Sequence, residues 1–222
     1  MKINNKIVSS PPVACDIYYE KFRQHVFMLL FEGYTRVRTE NLSLTKAEED
    51  EITAYIVKGI DEYKKDPHSP SWVNHYQVQE QRPHSPHGEI GKKRKWLDIF
   101  FQGNRKERNN TFCFESKRLY PRQVPAEYFG QHGMQRFLSG EYPINSKGEA
   151  VMVGYVQSHD ISQWLQWLKT NFEDYRAELH VPPDSVWDDC PIIPQIKHSF
   201  QTRHTPLPNA HIVLFHLLLS FT

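Results

Sequence analysis

Apolar residues along the chain recur with two periods, and the alternation between them marks out its elements. Over residues 16–33, Ile17, Phe22, Val26, Phe27, Leu29 and Leu30 suit a helix that Gly33 would stop. Thr45 followed by Glu48 has the spacing of a capping box, in which hydroxyl and carboxylate each satisfy an orphan backbone donor. Ile52, Tyr55, Ile56, Gly59 and Ile60 then form one face of a helix predicted over 46–64, and the Pro-rich stretch 66–70 breaks it. Residues 72–79 read as a strand and 82–91 as a loop. Residues 95–102 and 111–120, joined by the polar connection 103–110, read as an antiparallel hairpin. A helix over 126–139, a strand over 150–157 and a helix over 160–172 follow. The acidic, proline-bearing stretch 173–196 reads as a loop excursion, and 197–204 and 211–221 as two strands that extend or cover the sheet. The order predicts an α/β fold with a central mixed sheet flanked by helices.

Composition narrows the class without naming a chemistry. A chain of 222 residues, 39% hydrophobic and 24% charged, supports a single sizeable core, so one domain over 1–222 is expected. Its net charge of +1 advertises no nucleic-acid partner, and any attraction to phosphate has to be local. Cys15, Cys113 and Cys190 lack zinc-finger spacing and the density of a secreted disulfide scaffold, which points to a reducing cytoplasm. Residues 1–10 lack the order of a signal peptide, and the apolar run 211–221 is too short for a membrane helix, so no membrane partner is expected.

The hairpin carries the candidate chemistry. Strand alternation points Glu115 and Lys117 the same way, with Thr111 and Cys113, and sends Phe112, Phe114 and Tyr120 to the other face. By the same rule Asp98 shares a face with Trp96 and Phe100, against Leu97, Ile99 and Phe101. A carboxylate among such residues is costly unless paired or metal-bound. Asp98 and Glu115 can converge across the hairpin, and two carboxylates with water and a phosphate oxygen suit Mg²⁺, with Mn²⁺ as a substitute. Lys117 would orient water or offset developing charge. The alternative is an ion pair of Glu115 and Lys117 on a partly solvated sheet face. An acid-x-Lys triplet is weak by itself, since Glu62-Tyr63-Lys64 is another.

Helix, strand, strand with Asp98, strand with Glu115-Ser116-Lys117, helix, strand resembles the core of the PD-(D/E)xK, or restriction-endonuclease-like, nucleases over residues 46–157. Leu97 stands where the motif's proline would be. The resemblance implies a restriction-endonuclease-like core at about 45–157, an N-terminal helical segment at 13–34 and a C-terminal extension of extra strands at 173–222. It implies Mg²⁺-dependent hydrolysis of phosphodiesters, DNA ahead of RNA, as an effector with a protein partner in a bacterial anti-phage or restriction system. A catalytically inactive nucleic-acid- or protein-binding module on the same fold is the alternative. In this family the first core helix often adds a glutamate at the metal. Of Glu48, Glu49 and Glu51, Glu49 is chosen because it sits one turn before Ile52, at the edge of the buried face. A glutamine on the helix after the lysine strand is also found in the family, and Gln131 and Gln135 are four residues apart.

Nucleic-acid contacts are expected from Lys92, Lys93, Arg94 and Lys95, from Arg105 and Lys106 at the hairpin tip, and from Arg118, beside which stands Arg122. A solvated hairpin would look the same. His68, His75, His84 and His87 lack catalytic zinc spacing and are read as loop polarity. His198 and His204 belong to a half-exposed strand or approach the site, Gly130 and Gly133 permit close helix packing, and Cys113 is expected to be a buried thiol.

Overall fold

The computed structural model describes residues 14–40, 43–85, 88, 95–104, 110–120, 124–207 and 210–222, with backbone alone at 14–16, 124 and 125. In chain order the elements are α1 (Ala14–Thr39), α2 (Glu49–Lys65), β1 (Tyr76–His84), β2 (Lys95–Gly103), β3 (Thr111–Leu119), α3 (Val124–Phe129), α4 (Gln135–Leu138), β4 (Glu149–Val156), α5 (Ile161–Asp174), β5 (Asp188–Asp189), β6 (Ser199–Leu207) and β7 (Ala210–Ser220). The strands form one seven-stranded mixed sheet in the order β1-β2-β3-β4-β7-β6-β5. β3 and β7 run parallel to β4, and the other pairs are antiparallel.

Helices flank the sheet on both faces, which is why β4, in the middle, is buried at every position and shows no polar alternation. On one face Phe27 of α1 and Ile56 of α2 pack with Phe112, Phe114, Val151 and Phe215. On the other, Tyr128, Phe137, Trp164 and Leu168 from α3, α4 and α5 pack with Met152 and Leu218. The two late strands extend the sheet. β7 lies directly against β4, so the C-terminal residues complete its centre.

Several local expectations change. Gly33 does not end α1, because a Cβ there would stand 2.5 Å from the Ile56 carbonyl oxygen, and one on Gly59 would stand 2.7 Å from the Gly33 carbonyl oxygen. The two glycines let α1 and α2 cross backbone to backbone, and α1 runs on to Thr39. The expected capping box is absent. α2 begins at Glu49 and its N-cap Glu48 makes no side-chain cap bond, whereas Asp160 with Gln163 forms a capping box on α5. Trp72 belongs to a 3₁₀ turn, Ser71–His75, stacked on His25. The first strand therefore starts at Tyr76 and runs through Pro83, tolerated because β1 is an edge strand. The helix expected over 126–139 breaks at Gly130–Met134, where Cβ atoms on Gly130 and Gly133 would stand 2.2 Å and 2.1 Å from the Ala126 and Tyr128 carbonyl oxygens. That glycine pair makes a tight reversal of the chain between two short helices.

Candidate functional site

Asp98 lies where the sheet is interrupted on both sides. Between the β1–β2 pairs Glu80↔Ile99 and Arg82↔Leu97, Gln81 adopts a φ of 48°, a conformation non-glycine residues rarely take. The β2–β3 ladder runs from Gln102↔Thr111 to Ile99↔Phe114 and goes no further. In its place Asp98 Oδ2 accepts the Ser116 backbone N–H at 2.6 Å. Alternation slips at this point: Leu97 packs with Phe100 on the α5 face, whereas Ile99 and Phe101 pack on the α1 face. The expected sharing of one face by Leu97, Ile99 and Phe101 is corrected accordingly. Gln81 is tied to α2, its Nε2 donating to Asp50 Oδ1 at 3.0 Å.

β3 keeps its period of two, and Glu115 and Lys117 project together. Lys117 Nζ stands 2.8 Å from Glu115 Oε1 and 2.9 Å from Glu49 Oε1, and donates to the Ser116 carbonyl at 2.6 Å. Glu49 is the first residue of α2, and its other oxygen accepts the Arg118 backbone N–H at 3.2 Å. Ser116 Oγ donates to the Tyr155 hydroxyl at 3.0 Å, which also meets Thr53 Oγ1 of α2 at 2.9 Å. The sheet face here is dry, since Glu115 is fully buried. The structure thus brings together Asp98, Glu115, Lys117 and Glu49.

One more residue joins them. Arg136, on α4, donates through Nη1 to Glu115 Oε1 at 3.0 Å and to the Tyr142 hydroxyl at 2.5 Å; that hydroxyl donates to the Trp96 carbonyl, also at 2.5 Å. Nothing in the periodicity singled Arg136 out, because its position depends on the reversal at Gly130–Met134. Gln131 is exposed in that reversal and Gln135 opens α4, so they do not share the helical face expected of them.

Burial sets the electrostatics. It pushes the Asp98 carboxyl well above the usual range, with the charge of Glu115 adding to the effect. Burial also raises Glu115, against the opposing pull of Lys117 and Arg136. For Lys117 burial acts against the charge, but Glu115, Glu49 and Asp98 together hold the ammonium above the ordinary lysine range. Glu115 Oε2 remains buried without a hydrogen-bond partner.

Of the expected nucleic-acid contacts, Lys95 pairs with Glu141 at 3.2 Å, and Arg118 donates to Glu48 at 2.5 Å and to Gln157 at 2.8 Å. Lys92, Lys93, Arg94, Arg105 and Lys106 lie outside the described residues, as do Arg122 and His87. Among the described residues no group of three or more His, Cys, Asp or Glu side chains is arranged to hold a metal ion. His204 is buried away from the carboxylates, bonded to the Leu179 carbonyl and to Thr202. Cys113 is a buried thiol, pushed up to about 12 by burial. No helix among the described residues is long and apolar enough to cross a membrane. No protein-family model, curated protein or solved structure matches the chain.

Proposed function

We propose that the protein is a metal-dependent nuclease of the PD-(D/E)xK type, acting on DNA ahead of RNA. The observation that carries the reading is Glu115, a fully buried carboxylate whose Oε2 has no partner, beside the raised carboxyl of Asp98 and within reach of Lys117 and Glu49. An ionised acid is retained in such a place when something else completes it. On this reading the core spans α2 to β4 and the strands β5 to β7 form the extension.

By donor type Asp98, Glu115 and Glu49 suit Mg²⁺ or Mn²⁺ and are the residues that would hold it. Here Lys117 bridges Glu49 and Glu115 and the three carboxylates are not arranged around one point, so the ion would have to displace that bridge. When bound, such an ion supplies Lewis-acid polarisation of the phosphodiester and a more acidic water. Lys117 offers a proton-bearing ammonium at the same point, placed to orient the attacking water and to offset charge on the phosphoryl oxygens. Ser116, through Tyr155 and Thr53, fixes β3 against α2, so that Glu49 and Lys117 keep their separation. A cytoplasmic setting, with a protein partner in an anti-phage or restriction complex, accompanies this reading.

A second reading has an observation of its own. Lys117 bridges Glu49 and Glu115 as a closed ion cluster, which suits a nucleic-acid- or protein-binding module that no longer catalyses. Incubation of purified protein with single- and double-stranded DNA and RNA, in Mg²⁺, Mn²⁺ or EDTA, separates the two. Metal-dependent cleavage that is lost in Asp98→Asn and Lys117→Ala, with melting behaviour showing both variants folded, supports the nuclease. Binding that is indifferent to chelator, without cleavage under any condition, rejects it.

A further inference from the structure

The ammonium of Lys117 stands where a cation would be held. Three oxygens meet its Nζ: the Ser116 carbonyl at 2.6 Å, Glu115 Oε1 at 2.8 Å and Glu49 Oε1 at 2.9 Å. An ammonium has three N–H donors, so all are committed and none is left for a substrate. One backbone carbonyl and two carboxylates are also a donor set that suits a hard cation. Each oxygen belongs to a residue fixed by another bond. Ser116 is tied through its N–H to Asp98 and through its hydroxyl to Tyr155, Glu49 accepts the Arg118 backbone N–H through its other oxygen, and Glu115 accepts from Arg136. The oxygens therefore keep their places without the lysine.

The two cations on Glu115 Oε1 are not equivalent. Arg136 is anchored outside the cluster, on the Tyr142 hydroxyl, and stays with Glu115 when Lys117 leaves. Lys117 ends a flexible four-carbon stem. Side-chain exposure rises from 0% at Glu115 to 10% at Lys117 and 26% at Glu49, so the way out to solvent lies on the Glu49 side. The cluster is also incomplete with the lysine in it. Glu115 Oε2 is buried without a partner, and a Lys117 whose three donors are taken cannot supply one.

We propose that Lys117 is a tethered counter-cation that competes with a divalent metal ion for Glu49 and Glu115, so that the site holds either the ammonium, as here, or the ion, and entry of one expels the other. The inference rests on the nuclease reading for the identity of the ion as Mg²⁺ or Mn²⁺. Two positive groups on the same pair of carboxylate oxygens repel, and most strongly where water is excluded. The closed cluster is on this account a resting state of the site. Expelled from it, Lys117 regains the donors with which it would meet a phosphate oxygen or a water.

Mn²⁺ binding in the absence of nucleic acid, read from the electron paramagnetic resonance signal of the free ion, tests the exchange. The native protein is compared with Lys117→Met, Lys117→Gln and Lys117→Arg. A site that is open only part of the time binds its ligand more weakly by that fraction, so Lys117→Met should bind Mn²⁺ about tenfold or more tighter than the native chain. Lys117→Arg keeps a cation on the tether and should bind no tighter. Lys117→Met deprives Glu115 of a counter-charge and can unfold before the ion is added. Lys117→Gln, uncharged but still a donor to a carboxylate, is therefore the second variant and should show the same gain. The melting temperature of Lys117→Gln should also rise more with Mn²⁺ than that of the native chain. Adding Glu115→Gln to Lys117→Gln should abolish both effects. An Mn²⁺ affinity in Lys117→Gln equal to or below the native one, a gain that survives Glu115→Gln, or an equal gain in Lys117→Arg overturns the proposal. Tighter ion binding in the uncharged variants, with no cleavage of DNA or RNA by the native chain, rejects hydrolysis and leaves the exchange standing. Metal-dependent cleavage by the native chain, with ion affinity unchanged in the variants, does the reverse.

Discussion

The Asp98 carboxylate accepts the backbone N–H of Ser116 at 2.6 Å, next to Ile99↔Phe114, the last pair of the β2–β3 ladder. The acid thus has a structural bond as well as a proposed chemical role, and different substitutions separate the two. Asp98→Asn keeps an oxygen acceptor and removes a buried acid, so its stability at neutral pH should equal or exceed that of the native chain. Asp98→Ala leaves the Ser116 N–H without its acceptor and should cost about 1–3 kcal/mol. Urea denaturation of both variants, alongside the cleavage assay, decides this: equal destabilisation by Asn and Ala would show that the bond contributes nothing.

Lys117 is the only described side chain that touches both Glu49 and Glu115. Replacing it with Met leaves a fully buried Glu115 with Arg136 as its remaining cation, and breaking a buried pair in this way costs about 3–5 kcal/mol. Adding Glu115→Gln to Lys117→Met should recover most of that loss. A double-mutant cycle with no coupling between the two positions would contradict the geometry.

Across the sheet from Glu115, beyond Met152, which pairs with Glu115 on one side and with His216 on the other, Tyr128, His216, Thr202, His204 and the Leu179 carbonyl form a buried chain of hydrogen bonds at 3.0, 2.8, 2.7 and 2.8 Å. A carbonyl only accepts, so His204 Nδ1 carries the proton, Nε2 accepts from Thr202, Thr202 accepts from His216 Nε2, and His216 Nδ1 accepts from Tyr128. Burial pulls His204 down to about 4 and His216 well below the usual histidine value. The unfolded chain takes up protons near pH 6.5 while the folded chain resists, so stability present above that pH is lost as pH falls toward 4. A loss on the order of several kcal/mol is expected across this window, and it should shrink in His204→Gln. The raised carboxyls of Asp98 and Glu115 act in the opposite direction over this window, so the comparison is between the native chain and His204→Gln, and the same pH dependence of the denaturation midpoint in both would exclude the effect.

The crossing of α1 and α2 depends on two hydrogens. Gly33→Ala gains helix propensity but places a methyl carbon 2.5 Å from the Ile56 carbonyl oxygen, so the helices must separate. A net loss of about 1–3 kcal/mol is expected, read as a lower melting temperature. Ala at Gly140, where no atom lies within 4 Å but φ is +77°, should show only the smaller backbone penalty.

Some of the site was readable one residue type at a time. Glu115 and Lys117 project together because β3 holds an unbroken period of two, and Glu49 faces them because it stands three positions, about one helical turn, before the buried Ile52. Asp98 is conspicuous in the sequence as an acid among aromatics, but its surroundings are not, since the positive φ of Gln81 and the end of the β2–β3 ladder are properties of three strands together. Arg136 and Tyr142 were not readable at all. The Gly130–Met134 reversal aims one of them, and their partners lie 21 and 46 residues earlier, Glu115 on β3 and Trp96 on β2.

By itself the sequence determined the α/β order, the hairpin, and which side of β3 carries the acid and the lysine, because backbone periodicity is local and survives any packing. Tertiary structure decided where β7 enters the sheet, why Gly33 lies inside a helix, and which cations meet Glu115. Those outcomes depend on how closely distant backbones approach and on which buried charges must find partners, and neither is written in the spacing of any one segment.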